Sequence, residues 1–275
     1  MYTSLNPRML QLSLSVDETI DAAREYGFQG VEIDVPGAID TPPDLLRERI
    51  QGAGLRAGGW SLPFDFAADE TTFREGLQRL ATYAALAAGL GARRCVRWVR
   101  PCSDELSWSE NWTLHRQRLR PVAALLAEYG CRLGLEFVGP LTSRRGHRYP
   151  FIHTADQMLR LCREIGPNTG LLLDSWHWYT SGGTAADLAR LNNDDVVLVH
   201  VNDAPAGLAR DEQIDRERLL PGASGVIDIR AFVDELRRMS YDGPVVVEPF
   251  DDSLESLAPS ARLKATAGAL RAVMG

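Results

Sequence analysis

A chain of 275 residues is long enough for one large domain and far exceeds what a small disulfide-stapled scaffold needs. Its net charge of −7 arises from acidic and basic residues mixed along the chain, with no basic block to track a phosphate backbone, which argues against a nucleic-acid partner. The start MYTSLNPRMLQLSLS lacks a charged, then apolar leader, and no run of about eighteen apolar residues occurs, so a soluble cytoplasmic protein without a membrane partner is expected.

Two further features of composition narrow the chemistry. Cys95, Cys102, Cys131 and Cys162 have no CxxC spacing and two lie within apolar, strand-like runs, so they read as reduced, structural thiols. Lys264 is the only lysine and sits in the last predicted helix, which disfavours Schiff-base catalysis.

In chain order, eight short runs rich in β-branched or apolar residues predict strands: RMLQLSL (8–14), GVEID (30–34), RAGGWSL (56–62), RRCVRWV (93–99), RLGLEFV (132–138), TGLLLDS (169–175), VVLVHVN (196–202) and PVVVEPF (244–250). Segments of helical period separate them. Ser15-Val-Asp-Glu18 and Thr154-Ala-Asp-Gln157 mark helix starts, and Gly27, Gly130 and Gly166 mark stops. Eight strand and helix alternations predict one α/β domain over residues 1–275, a single (β/α)8 TIM barrel. No GxGxxG turn follows any strand, which weakens a dinucleotide-binding alternative. The segments after the fourth, fifth and seventh strands exceed ordinary connections, as expected of loops that build the mouth of a barrel.

Each of the last four strands ends in one metal-ligand type after an apolar run: Glu136 in LGLEFVG, Asp174 in LLLDSWH, His200 in VLVHVND and Glu248 in VVVEPF. Singly, such an acid is usually a helix cap or a surface ion pair. Four on consecutive strands converge on one mouth, where buried charge must be paired or bound to metal. Three carboxylates and one imidazole predict one divalent metal ion, Mn2+, Mg2+, Co2+ or Zn2+, with coordination positions left for two vicinal substrate oxygens. His177, three residues past Asp174, stands where a neutral imidazole could hydrogen-bond a substrate hydroxyl or shuttle a proton.

At these residues the chain resembles the sugar-phosphate isomerase/epimerase branch of the xylose isomerase-like barrels, and within it the inosose isomerases. The motifs are LEFVG, GLLLDSWHWY, VHVNDAP, RLLPGASGVIDI (218–229) and VVVEPF. The resemblance implies that Glu136, Asp174, His200 and Glu248 ligate the metal, that His177 and Arg218 reach substrate oxygens, and that the protein forms a homodimer. Read without the resemblance, Arg218 belongs to an Arg-Glu-Arg run that equally suits a solvated charged face. Related sequences usually have one residue between the glycines of PGxG; here Gly222-Ala-Ser-Gly225 has two, a departure that bears on where Arg218 sits.

All six tryptophans fall near or beyond strand ends, and Trp60, Trp98 and Trp176 are expected to bind substrate, with at least two tryptophans lining the pocket. TSRRGHRY (142–149) offers arginines for a phosphate or a lid, although exposed arginines are more often solvated. These readings predict an isomerase or epimerase of a small keto-sugar or keto-cyclitol. The metal would stabilise an enediolate while Glu136, Glu248 or His177 moves the proton. The alternative is a lyase on the same scaffold, expelling water or an aryl group from the same intermediate. A multi-metal nuclease needs more histidine ligands and a basic groove, and a binding subunit with a vestigial site is disfavoured by the intact ligand set.

Overall fold

The computed structural model describes residues Met1 to Gly275. Its strands are β1 Tyr2–Leu5, β2 Gly30–Val31, β3 in two pieces at Arg56–Ala57 and Gly59–Ser61, β4 Arg94–Val99, β5 Arg132–Phe137, β6 Thr169–Asp174, β7 Val196–Val201 and β8 Pro244–Val247. All neighbours within the ring are parallel, and β8 pairs with β1 through Tyr2↔Pro244 and Thr3↔Val245; outside it, Cys102–Ser103 and Tyr149–Pro150 form a short antiparallel pair. The ring closes at β3. Its first piece pairs with β2 and its second with β4, so one segment changes partner at Gly58. A Cβ there would meet Glu32 Oε1 and Ser4 Oγ at 2.7 Å, which is why glycine occupies the bend.

The helices that follow the strands are α1 Val16–Tyr26, α2 Pro43–Gly52, α3 Glu70–Leu90, α4 Trp108–Glu128, α5 Ala155–Ile165, α6 Ser175–Thr180, α7 Ala185–Leu188, α8 Ile229–Arg238, α9 Asp252–Glu255 and α10 Pro259–Met274. The start of α1 carries the expected reciprocal cap. Ser15 Oγ accepts from Glu18 N at 3.2 Å, and Glu18 Oε2 accepts from Ser15 N at 2.7 Å. At α5, Thr154 Oγ1 accepts from Gln157 N, but the Gln157 side chain accepts from His153 N instead of closing a box. None of the helices is long and apolar enough to cross a membrane.

One predicted strand is misplaced. Residues 8–14 do not form β1; Pro7–Leu10 is a 3-10 turn capped by Asn6, whose side chain accepts from Arg8 N, and Gln11 then takes a left-handed conformation at φ 52°. Pro7 has no N–H for a ladder and fits the first helical position, so the barrel strand ends at Leu5. The apolar alternation of this segment instead buries Leu10 and Leu12.

Candidate active site

The two-residue period of the strands builds the site. Val96, Leu172, Leu198 and Val246 form a small apolar cluster of their own. Two residues further along their strands stand Trp98, Asp174, His200 and Glu248, on the same face of the sheet. Register supplies the rest, since Asp174 pairs with His200 and Glu136 with Trp98.

Ligand atoms of Glu136, Asp174, His200 and Glu248 all lie within 4.8 Å of one another, and all four residues are buried. His200 Nδ1 is 3.3 Å from Glu248 Oε2, 3.6 Å from Glu136 Oε1 and 4.0 Å from Asp174 Oδ2. Glu136 Oε1 and His200 Nδ1 make no well-formed hydrogen bond although both are buried. Such orphaned acceptors, aimed at one point, fit a divalent cation with mostly oxygen ligands.

Electrostatics separate the two glutamates. Burial raises the Glu136 carboxyl above its ordinary range, against the opposing pull of His200 and His177. Glu248 is equally buried, yet His200 and Arg218 outweigh the desolvation and hold it down to about 2. His200 is disfavoured as a cation by burial, but the charges and hydrogen-bonding contacts of Glu248 and Glu136 raise it well above the usual histidine range.

Asp174 caps a helix with one carboxylate oxygen and turns the other toward the group that could hold a metal. Its Oδ1 caps α6, accepting from Trp176 N at 2.7 Å and His177 N at 2.9 Å, while Oδ2 belongs to the ligand group. Oδ2 also accepts from Asn202 Nδ2 at 3.0 Å and Arg218 Nη1 at 3.1 Å. Arg218 is 2% exposed, so it is no part of a solvated face. Its Nη1 donates to Glu248 Oε2 at 2.8 Å and its Nη2 to Asp215 Oδ1 at 2.7 Å. The longer Gly222–Gly225 loop does not displace it. Buried Asp203 accepts from the backbone N–H groups of Ser224, Gly225 and Ile227, and its main chain pairs with Leu219 beside Arg218.

His177 is buried, with Nδ1 accepting from Gly139 N at 3.2 Å and Nε2 lying 3.1 Å from Arg218 Nη2. Both ring nitrogens therefore face donors, and a neutral imidazole can accept at only one of them. An oxygen atom from a ligand, placed between Nε2 and the guanidinium, would relieve that conflict.

Above the ligands opens a cavity of about 480 Å³, lined by Glu136, Glu248, His177, Arg218, Trp98 and Phe250 among others. Of the tryptophans only Trp98 lines it, and that ring is 46% exposed. The expectation of at least two is corrected. Trp60 is buried on a separate cavity of about 550 Å³ near the ends of β1 to β3. Trp176 is also buried, edge-on to His177 at 5.5 Å with the Arg218 guanidinium 4.8 Å from its ring centre. Trp60 lies within the second piece of β3 and Trp176 just past the end of β6, and both indoles are turned into packing.

From TSRRGHRY, Ser143 and His147 reach the cavity wall, and His147 Nδ1 contacts Asp104 Oδ2 at 2.9 Å. Sequence reasoning did not single out Arg100, Asp215, Phe250, Asn202 or Asp203. The last two carried a signal: polar residues directly after the buried run VVLVHV are both fully buried, and such groups must be hydrogen-bonded. Arg100 and Asp215 lie in loops without periodicity, and Phe250, the last residue of the predicted strand 244–250, lies beyond β8, which ends at Val247.

Comparison with known proteins agrees with this architecture. Residues 20–273 match the family described as xylose isomerase-like TIM barrel. An inosose isomerase of Bacillus velezensis is 24% identical over 277 aligned positions, covering 94% of this chain and 92% of that protein. Among solved structures, a xylose isomerase domain protein from Alicyclobacillus acidocaldarius superposes with a TM-score of 0.89 at 32% identity, covering 100% of this chain and 98% of the other. The IOLI protein with a binding zinc atom gives a TM-score of 0.81 at 20% identity, with 100% and 98% covered. The chain belongs to the xylose isomerase-like TIM barrel family.

Proposed function

We propose that the protein is a divalent-metal-dependent isomerase or epimerase that interconverts hydroxy-ketones of a sugar or cyclitol, with inosose-like compounds as substrates. The observation that carries this reading is the buried group of Glu136, Asp174, His200 and Glu248, of which Glu136 and Glu248 line a cavity together with His177 and Arg218. Similarity to an inosose isomerase along nearly the whole chain supports the cyclitol frame, and the zinc of the IOLI protein is in keeping with a metal.

Bound by these four residues, Mn2+, Mg2+, Co2+ or Zn2+ would polarise a carbonyl and neutralise charge on neighbouring oxygens. The chain's own groups handle the proton. Glu136 on β5 and Glu248 just beyond β8 stand apart around the ring, so they flank a substrate from two sides. One removes the proton next to the carbonyl and the other returns it. His177 Nε2–H and Arg218 Nη2–H donate to a substrate oxygen between them, orienting it and stabilising developing negative charge.

Incubation of the Mn2+-loaded protein with inosose or a ketohexose in D2O tests the reading. The expected result is isomerised product with solvent deuterium on the carbon next to the carbonyl. Product that keeps its original hydrogen contradicts the proton transfer, and loss of water or an aryl group instead assigns a lyase.

A further inference from the structure

Three arginines line the metal-site cavity: Arg100, Arg216 and Arg218. Arg218 is engaged with the carboxylates of Asp174, Glu248 and Asp215. Arg100 and Arg216 take part in none of the ion pairs or side-chain hydrogen bonds of the structure. Asp104, whose charge Arg100 feels, is already occupied by His147 Nδ1 and by Arg148 N, each at 2.9 Å.

Arg216 is held in place nonetheless. Its guanidinium lies 5.2 Å from the centre of the Phe250 ring, against which Arg218 also packs at 4.8 Å. Phe250 itself has a φ of 40°, in the left-handed region that is strained for a bulky residue. Its carbonyl accepts from Arg218 N at 3.1 Å, which fixes this strained turn at the cavity wall. Strain retained at such a place is a mark of a functional constraint. Here it sets one ring against two cations, and the ring's negative face eases their mutual repulsion.

Exposed arginines are ordinarily just solvated. This pair differs because its members come from separated parts of the barrel, after β4 and after β7, and line the same cavity as Glu136 and Glu248. A planar guanidinium matches the two oxygens of a carboxylate or phosphate and gains little from a neutral hydroxyl. Resting on the hydroxy-ketone reading above, we infer that the substrate is an anionic keto-polyol. Its carboxylate or phosphate is bound by Arg100 and Arg216 while its keto end reaches Glu136, Asp174, His200 and Glu248. A cavity of about 480 Å³ has room for a six-carbon frame with one such substituent.

The test is calorimetric titration of the Mn2+-loaded protein with inosose, 3-dehydroshikimate and fructose 6-phosphate, repeated on Arg100→Gln and Arg216→Gln. At least one anionic probe should bind about tenfold or more tightly than inosose, and which one does so distinguishes carboxylate from phosphate. Each substitution should cost the anionic probe about tenfold more affinity than it costs inosose, with metal content retained. Inosose binding as tightly as both anions, or an anion preference that survives both substitutions, overturns the inference and leaves the hydroxy-ketone reading standing. Failure of all three probes to bind overturns both.

Discussion

The main-chain N–H of Gly139 donates to Nδ1 of His177 at 3.2 Å, which holds the imidazole with Nε2 toward Arg218 and the cavity. His177 stands outside the group of Glu136, Asp174, His200 and Glu248 that could hold a metal. Under the proposed role toward substrate, its loss should spare the metal. His177→Ala should retain its metal and lower kcat by about 10²–10⁴-fold. Metal analysis alongside steady-state kinetics checks this. Parallel loss of metal and activity would move His177 among the ligands, and full activity would make it a packing residue.

Arg218 neutralises buried carboxylates in the metal-free protein, since Nη1 is shared between Asp174 and Glu248. Arg218→Met leaves those charges without a partner, a loss that typically costs about 3–5 kcal/mol. A cation bound by the same carboxylates should restore much of it. Thermal melts with and without Mn2+ should show a lower apo Tm for the variant and a larger metal-induced rise than in the parent. Equal rises in the two proteins would contradict this role for Arg218.

How much was legible beforehand follows from where periodicity existed. The four candidate ligands stood out because each ends an apolar run, and in the structure Leu172, Leu198 and Val246 occupy the same face of their strands two residues before Asp174, His200 and Glu248. The same alternation misled at residues 8–14, where Asn6 and Pro7 start a 3-10 turn and the buried leucines pack as a loop. Position near a strand end could not tell which way an indole points. Trp98 stays in a strand and opens to the cavity, whereas Trp176 enters α6 and turns inward. Phe250 was hidden because a left-handed φ at an aromatic residue has no sequence signature.

His115 gives a pH dependence remote from the ligand group. It is buried in α4 against Phe66 and Phe151, with Nδ1 hydrogen-bonded to Asn111 O at 2.8 Å, and burial lowers it from 6.5 to about 4. The unfolded chain therefore binds the extra proton first. The stability contributed by the neutral ring is complete above pH 6.5 and is lost as pH falls through about 4. The loss amounts to about 3 kcal/mol. Urea denaturation of EDTA-treated protein between these pH values, compared with His115→Phe, should show a shallower acid slope in the variant. Identical slopes would remove His115 from the acid response.

Metal stoichiometry tests the central claim most directly. After dialysis against Mn2+ and removal of free ion, elemental analysis should find about one ion per chain in the parent protein. Asp174→Asn and Glu248→Gln should fall to a small fraction of that while circular dichroism stays close to the parent's, because each keeps its shape and loses a charged ligand. A parent protein that takes up no Mn2+, Co2+ or Zn2+, or variants that load as fully as the parent, would contradict the account.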